Sequence, residues 1–319
     1  MNTDSFEAVW GSPADAQSIL NLINLVQPQV PWSLSHFQWQ FRDSPYGPAK
    51  LYLVKKLNGQ VVSLYAAIAQ RIAINGKSFQ ARMVQDVMTH PDYRGRGFLH
   101  DLGRRCLDDI RSTGEIGYTF PNERSEKSFR RNGWKELCPI PTRIKLLDKE
   151  RSSDVKNEVE VLPLKGPFGN SLAEIWKLSN LQIGVDRNTD FLNWRYSKPN
   201  IEYRKFIINS GEGLLILKFY SSSNEKSLHI CDLFVKENCQ GIIPSILSFC
   251  EDLGRTEKAN FLTAWLPEKH PYADPFNAVG LKIQNSSSRF FFVYPTTESI
   301  GLIQDPTLWH LSHGDSDVY

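Results

Sequence analysis

Two arginines and two glycines within six residues, Arg94-Gly95-Arg96-Gly97-Phe98-Leu99, form the stretch best suited to chemistry. Glycine accepts left-handed backbone, so successive N–H groups can turn into one concavity. The two arginines add full positive charge. Together they make a cradle for a phosphate or a pyrophosphate, although a basic, glycine-rich surface turn has the same composition. No Gly-Lys-Ser/Thr follows, so the segment is not a P-loop. Position 100 is His, so it is not the dinucleotide Gly-x-Gly-x-x-Gly.

Such a cradle needs a strand leading in and a helix leading out. The apolar run 84–88 supplies the strand. Leu99, Leu102, Cys106 and Ile110 fall on one helical face, with Arg104, Arg105, Asp108 and Arg111 on others. The positive dipole end of that helix points back at the turn.

Other residues have types that can act on a substrate. Asp86, inside the apolar strand, is the carboxylate nearest the cradle in sequence, and burial raises a carboxylate toward the range of a general base. Gln85 points to the opposite strand face, where it can orient an acceptor. Trp32, Trp39 and Tyr46, with Arg42 among them, read either as aromatic anchors of a core helix or as a stacking platform for a sugar or base. His310 and His313 with Asp315 and Asp317 have metal-donor chemistry. They lie in a polar segment without a helix to hold them, so a solvated or substrate-touching tail is expected and no metal is assigned.

Further elements frame the cradle. Phe6–Trp10 is a short strand. Ser12 and Pro13 start a helix with the stripe Ile19, Leu20, Ile23 and Val26. A second helix covers about 34–41. Asn58-Gly59 and Asn75-Gly76 mark two hairpins among the runs 51–57, 61–68 and 79–88. Strand 116–120, a helix near 125–132 and strand 142–147 follow the cradle helix.

With His90-Pro91 before it, the cradle resembles the pyrophosphate loop of the GNAT acyl-CoA transferases, Gln/Arg-x-x-Gly-x-Gly/Ala after a strand. Leu99 stands where that family usually has Gly or Ala. The stretch Asn122 to Trp134 resembles the family's second signature, but Phe129 stands four residues before Gly133, where many relatives carry a Tyr that protonates the leaving thiolate. The order β-α-α-β-β-β-α-β-α-β is also that of the GNAT fold.

The landmarks recur. Trp39-Gln40-Phe41 matches Trp194-Arg195-Tyr196, Asp86 matches Asp232, Cys106 matches Cys250, and Phe129 with Gly133 matches Phe276 with Gly280. The second copy reads Lys236-Glu237-Asn238-Cys239-Gln240-Gly241 at the cradle, and a glutamate repels a pyrophosphate. One donor site, in the first copy, is therefore expected. The fold class read from this is α/β: two tandem GNAT domains, each a mixed, mostly antiparallel twisted sheet flanked by helices. The expected boundaries are 1–148, a charged and Ser-rich linker at 149–158, and a degenerate domain at 159–319. That second domain either closes the acceptor cleft or is purely structural.

The resemblance implies an acyl-CoA donor. Its pyrophosphate would lie on the amides of 94–99 and its pantetheine along Val87, Met88 and Thr89. A backbone N–H near Met88 would stabilise the oxyanion, and Asn122 and Ser125 would also contact the donor. Asp86 is either the base or a scaffold, as its recurrence at Asp232 suggests, and Tyr118, His90 and water are the other candidates for the base.

Bulk properties exclude several classes. The 319 residues carry 37 basic and 35 acidic side chains, net +2, with no basic block for nucleic acid. The N-terminal stretch has neither the charged nor the apolar region of a signal peptide, and no apolar run reaches membrane-spanning length. Five cysteines without paired spacing read as reduced core thiols. A cytoplasmic monomer or homodimer is expected. By resemblance the reaction is N-acylation of a nucleotide-linked amino sugar by acetyl-CoA or a larger donor such as 3-hydroxybutyryl-CoA. Another amine acceptor (a polyamine, antibiotic or peptide) and a non-catalytic CoA-binding module are the alternatives.

Overall fold

The computed structural model describes residues 5–148, 159–222, 225–284, 289–294 and 300–316. The expected linker at 149–158 and Asp317 lie outside them.

The chain starts with β1 (Phe6–Trp10), α1 (Ala16–Val26), α2 (Leu34–Phe41), β2 (Lys50–Lys56), β3 (Val61–Ile74) and β4 (Lys77–Thr89). Then come α3 (Phe98–Thr113), β5 (Ile116–Thr119), α4 (Glu123–Arg131), β6 (Lys135–Ile140) and β7 (Thr142–Leu146). The second half contains β8 (Val161–Pro163), α5 (Asn170–Leu178), β9 (Ile183–Val185), α6 (Thr189–Arg195), β10 (Arg204–Ile208), β11 (Gly213–Ser221) and β12 (Lys226–Val235). Then come α7 (Ile243–Thr256), β13 (Phe261–Trp265), α8 (Ala273–Ala278), β14 (Lys282–Ile283), β15 (Arg289–Tyr294) and the short α9 (Ile300–Ile303). Among the described residues no helix is long and apolar enough to cross a membrane.

Local chemistry explains the element ends near the site. Ser12 closes a capping box, its N–H and hydroxyl donating to Asp15 at 2.8 and 2.9 Å. Asn75 and Gly76 both take positive φ, 48° and 77°, which turns β3 into β4. Gly114 ends α3 in the left-handed region. The stripe Leu102, Cys106, Leu107 and Ile110 is buried against Tyr52, Tyr65, Ala67 and Val84. Each such fully buried Leu or Ile contributes about 1.5–3 kcal/mol.

The chain forms two compact units. Unit 1 holds Met1–Ile72, Ser78–Leu137 and Phe290–Gln304; unit 2 holds Ala73–Lys77, Cys138–Arg289 and Asp305–Tyr319. The sheet of unit 1 has the path β1-β2-β3-β4-β5-β15-β6, and that of unit 2 the path β14-β7-β13-β12-β11-β10-β8. Both are mostly antiparallel, and each has a parallel step, β4–β5 in one and β12–β13 in the other.

The compact units are not the two contiguous halves. Strand β7, expected to close the first domain, pairs with β13 in unit 2, Arg143 facing Ala264. In unit 1 the corresponding place beside β5 is taken by β15, Phe292 facing Thr119. Each strand brings side chains that its sheet buries, Phe292 at 0% exposure and Arg143 also at 0%. Residue 148 is therefore not where the units divide.

The C-terminal segment also differs from expectation. It is not a solvated tail: His310, His313 and Asp315 are 2%, 0% and 3% exposed. The reason is a buried charge network. Arg187 donates to Asp232 at 3.0 Å and to Asp315 at 2.9 Å, and Ser312 and His310 each lie 3.3 Å from Asp232. Arg195 holds the backbone of the same segment, donating to the carbonyls of Gly314 and Ser316 at 2.7 and 2.6 Å. A buried arginine needs such acceptors, and the tail supplies them.

Candidate functional site

The site in unit 1 begins where β4 leaves its neighbour. The parallel ladder with β5 runs from Ala81↔Ile116 to Val84↔Thr119 and stops there. Two residues further on, Asp86 takes φ 51°, a left-handed conformation rare for a non-glycine residue. Gln85, Asp86 and the residues to Thr89 therefore follow a path that β5 does not track. On the β3 side, Ser63 Oγ donates to the Met88 carbonyl at 3.0 Å and bonds Thr89 Oγ1 at 2.9 Å, which holds this end of β4 in place.

The turn after β4 has two left-handed glycines, Gly95 at φ 78° and Gly97 at φ 82°, the latter the N-cap of α3. Aromatic packing props it from below. Phe6 of β1 contacts Tyr93 and Phe98 with ring centroids 5.5 and 5.1 Å apart. The Arg96 guanidinium lies 5.1 Å over Phe6 and 5.6 Å over Tyr93, and Arg94 Nε donates to the Thr89 carbonyl at 3.3 Å. The turn is thus packed against β1 while Arg94 and Arg96 stay exposed.

Beside it lies a cavity of about 990 Å³. Every residue expected to hold a donor lines it: 87–89, 94–99, Asn122 and Ser125. Five cations face it (Arg94, Arg96, Arg124, Lys127 and Arg131), and no Asp or Glu is among its lining residues. With the N–H groups and positive dipole end of α3 aimed the same way, the cavity suits an elongated polyanion. The fit to acyl-CoA rests on this donor set. Apolar Val87, Met88, Phe98 and Leu99 lie along the same wall for the uncharged arm.

Asn122 has a structural duty as well. It N-caps α4, its Oδ1 accepting from the N–H groups of Arg124 and Ser125 at 3.0 Å each, so its Nδ2 is what it can offer a ligand. Phe129 does not face the cavity. It is 3% exposed in the unit 1 core, with its ring 5.4 Å from Trp134 and 6.1 Å from Tyr65.

The acceptor residues are placed differently. Asp86 is half-buried and Gln85 buried; Gln85 Nε2 donates to Asp86 Oδ2 at 3.1 Å, while its Oε1 is buried without a hydrogen-bond partner. Trp32 and Trp39 are 8% and 5% exposed, Trp32 stacked on His36 at 4.0 Å and pinned through its backbone by Asn24. Arg42 is exposed at the end of α2, and Tyr46 lies under the Arg71 guanidinium at 5.3 Å. None of these six is among the lining residues of the cavity. The tryptophans sit as anchors of α2.

Beyond the residues expected from the sequence, Val26, Gln27, Tyr93, His100, Arg124, Lys127, Ser128 and Arg131 also line the cavity. The spacing 124, 127, 128, 131 is one face of a helix and was a readable signal. Val26 and Gln27 reach the cavity only through the folding of α1, which no local pattern announces. Among the described residues no group of His, Cys, Asp or Glu has the arrangement to hold a metal ion.

Residues 12–136 match the acetyltransferase (GNAT) domain family. No curated protein matches the sequence. Among solved structures, a conserved protein of Enterococcus faecalis V583, described as a probable N-acyltransferase, is similar over 91% of this chain and 72% of its own, with TM-score 0.70 and 14% identity. The glucosamine N-acetyltransferase region of a fungal multi-domain β-N-acetylglucosaminidase gives TM-score 0.58 at 14% identity, over 92% of this chain and 38% of that one. The N-myristoyltransferase of Saccharomyces cerevisiae with bound myristoyl-CoA gives TM-score 0.59 at 8% identity, over 91% and 79%. The chain thus has the fold of the GNAT proteins, and residues 12–136 match the acetyltransferase (GNAT) domain model.

Proposed function

We propose that this protein is an acyl-CoA-dependent N-acyltransferase whose donor site is the unit 1 cavity. The observation that carries the reading is the cavity's lining: five cations, a glycine turn at a helix N-terminus and no carboxylate, beside a strand end that has parted from its neighbour. The pyrophosphate lies on residues 94–99 and the pantetheine along Val87, Met88 and Thr89. The acceptor nitrogen attacks the thioester carbonyl carbon directly, the Met88 N–H stabilises the oxyanion, and the C–S bond breaks to give an amide and CoA. Asp86 takes the proton from the amine. Gln85 Oε1, an acceptor without a donor, orients that amine. Asn122 contacts the pantetheine or the thiolate, and water in the open cavity returns the proton.

The acceptor we propose is the amine of a nucleotide-linked amino sugar, acylated by acetyl-CoA or a larger donor such as 3-hydroxybutyryl-CoA. Support comes from the likeness to the glucosamine N-acetyltransferase region, although Trp32 and Trp39 are buried and do not form an open platform. One observation favours a second reading, a CoA-binding module without catalysis: Phe129 has no proton to give and faces the core.

The test is acyl transfer followed by mass spectrometry. Acetyl-CoA and 3-hydroxybutyryl-CoA are each incubated with the protein and a panel of sugar nucleotides, polyamines, peptides and aminoglycosides. The expected outcome is a sugar nucleotide gaining the acyl mass. Gly95→Glu places in the cradle the charge that unit 2 carries at Glu237, and donor binding should fall by about a hundredfold or more. A Gly95→Glu protein that still binds acetyl-CoA normally would refute the donor site.

A further inference from the structure

Helix α4 carries two charge patterns on its two sides. On the outer side Arg130 pairs with Glu126 at 2.8 Å and with Glu136. On the cavity side stand Arg124, Lys127 and Arg131, three and four residues apart. No side-chain hydrogen bond or ion pair joins any of these three to another described residue. Arg124 stands in the first turn, where a cation opposes the helix dipole, and Arg131 stands in the last, where a cation complements it. An ordinary solvated helix face mixes charge signs, as the outer side of α4 does. The cavity side holds one sign only.

The loop does not need them. A pyrophosphate is already met by Arg94, Arg96, the turn amides and the α3 N-terminus. Three further cations imply a second anion on the same ligand. Acyl-CoA carries one, the phosphomonoester on its ribose 3′-oxygen, with a charge of about −1.5 to −2 at neutral pH. Two arginines and a lysine, with the Ser128 hydroxyl beside them, match a phosphate's many acceptor oxygens.

Building on the acyl-CoA reading above, we propose that Arg124, Lys127 and Arg131 form a 3′-phosphate subsite that makes the protein select 3′-phosphorylated acyl-CoA over its dephospho form. Arginine and lysine at these positions set donor specificity and take no part in bond making.

The experiment is calorimetric titration of the full chain with CoA and with 3′-dephospho-CoA at about 0.15 M salt, where charges more than ~8 Å apart are screened. The wild-type protein should bind CoA about tenfold or more tightly than dephospho-CoA. The Arg124→Gln/Lys127→Gln/Arg131→Gln variant should bind both alike, at the wild-type affinity for dephospho-CoA. Arg104→Gln, an exposed charge on α3 outside the cavity lining, should keep the wild-type preference. Equal affinities in the wild-type protein, or a triple variant that keeps the preference, would overturn the subsite and leave the acyl-CoA reading standing. A triple variant weakened equally toward both ligands would put the cations on their shared part and also overturn it. If neither ligand bound the wild-type protein, the acyl-CoA reading itself would fall, and the subsite with it.

Discussion

The end of β4 in unit 1 and the end of β12 in unit 2 occupy the same place in the same fold and have opposite electrostatics. Each strand is irregular there: Asp86 has φ 51°, and the β11–β12 register slips between Ile216 and Leu217, opposite Asp232 and Ile230. Past the irregularity, β4 borders a cavity with five cations and no carboxylate. Past it, β12 is covered by the chain's own segment, where Asp232 meets Arg187, Tyr196, His310 and Ser312. Glu237, in the second cradle, accepts from Asn180 at 2.7 Å. One fold position thus borders an open cavity lined by cations in unit 1 and becomes core in unit 2, where the chain supplies the counter-ions itself.

The sharpest break of this comparison is the aspartate pair. Asp232 is 0% exposed, and although burial alone would raise it, the Arg187 guanidinium holds its carboxyl well below the usual carboxylate range. Removing it leaves Arg187 buried and short of charge. Asp232→Ala should cost about 3–5 kcal/mol in urea unfolding. Asp86→Ala, at a half-buried position, should cost under about 1 kcal/mol and act instead on turnover. Equal stability losses would erase the distinction between a structural and a functional aspartate.

The next effect is the acid sensitivity of the buried imidazoles in unit 2. Burial keeps three imidazoles neutral there: His229 is lowered to about 4, with Lys218 adding to the effect; His270 is lowered by burial and by His310; His310 is lowered by burial and by Arg187. In the unfolded chain each takes up a proton near pH 6.5. Between those values the unfolded state binds more protons, so acid favours unfolding. Stability should be complete above pH 6.5 and decline as pH falls toward about 4, by on the order of 3 kcal/mol from His229 alone. His229→Gln should flatten the pH dependence of the urea midpoint. An unchanged slope would remove His229 as its source.

What the sequence showed of this contrast follows from how local each signal is. The cradle was legible because glycine conformation, helix start and charge all act within ten residues. The repeat was legible because Phe129 with Gly133 and Phe276 with Gly280 keep one spacing, and both glycines take φ 87°. The exchange of β7 and β15 was not legible, since an alternating strand reads the same whichever sheet accepts it. Nor was the burial of His310 and Asp315: only Arg187 and Asp232, about 80 to 130 residues away, turn that polar segment into core. The cavity face of α4 lay between these cases, with a readable spacing whose direction only packing decides.

The smallest effects come from two glycines and should differ in sign. Gly97 is left-handed, and although an added Cβ would meet nothing within 4 Å, the conformation itself disfavours any side chain. Gly97→Ala should cost about 1–2 kcal/mol and weaken donor binding, because the turn amides shift as the strain relaxes. Gly241 lies in the 3₁₀ segment Glu237–Ile242, without positive φ and with open space around its Cβ position. Gly241→Ala narrows the unfolded ensemble at no folded cost and should stabilise unit 2 by about 0.5–1 kcal/mol. Paired urea titrations read both values. A loss at Gly241 matching that at Gly97 would mean the second cradle still needs its glycine, and so has kept more of the first one's shape than its glutamate and helical turn imply.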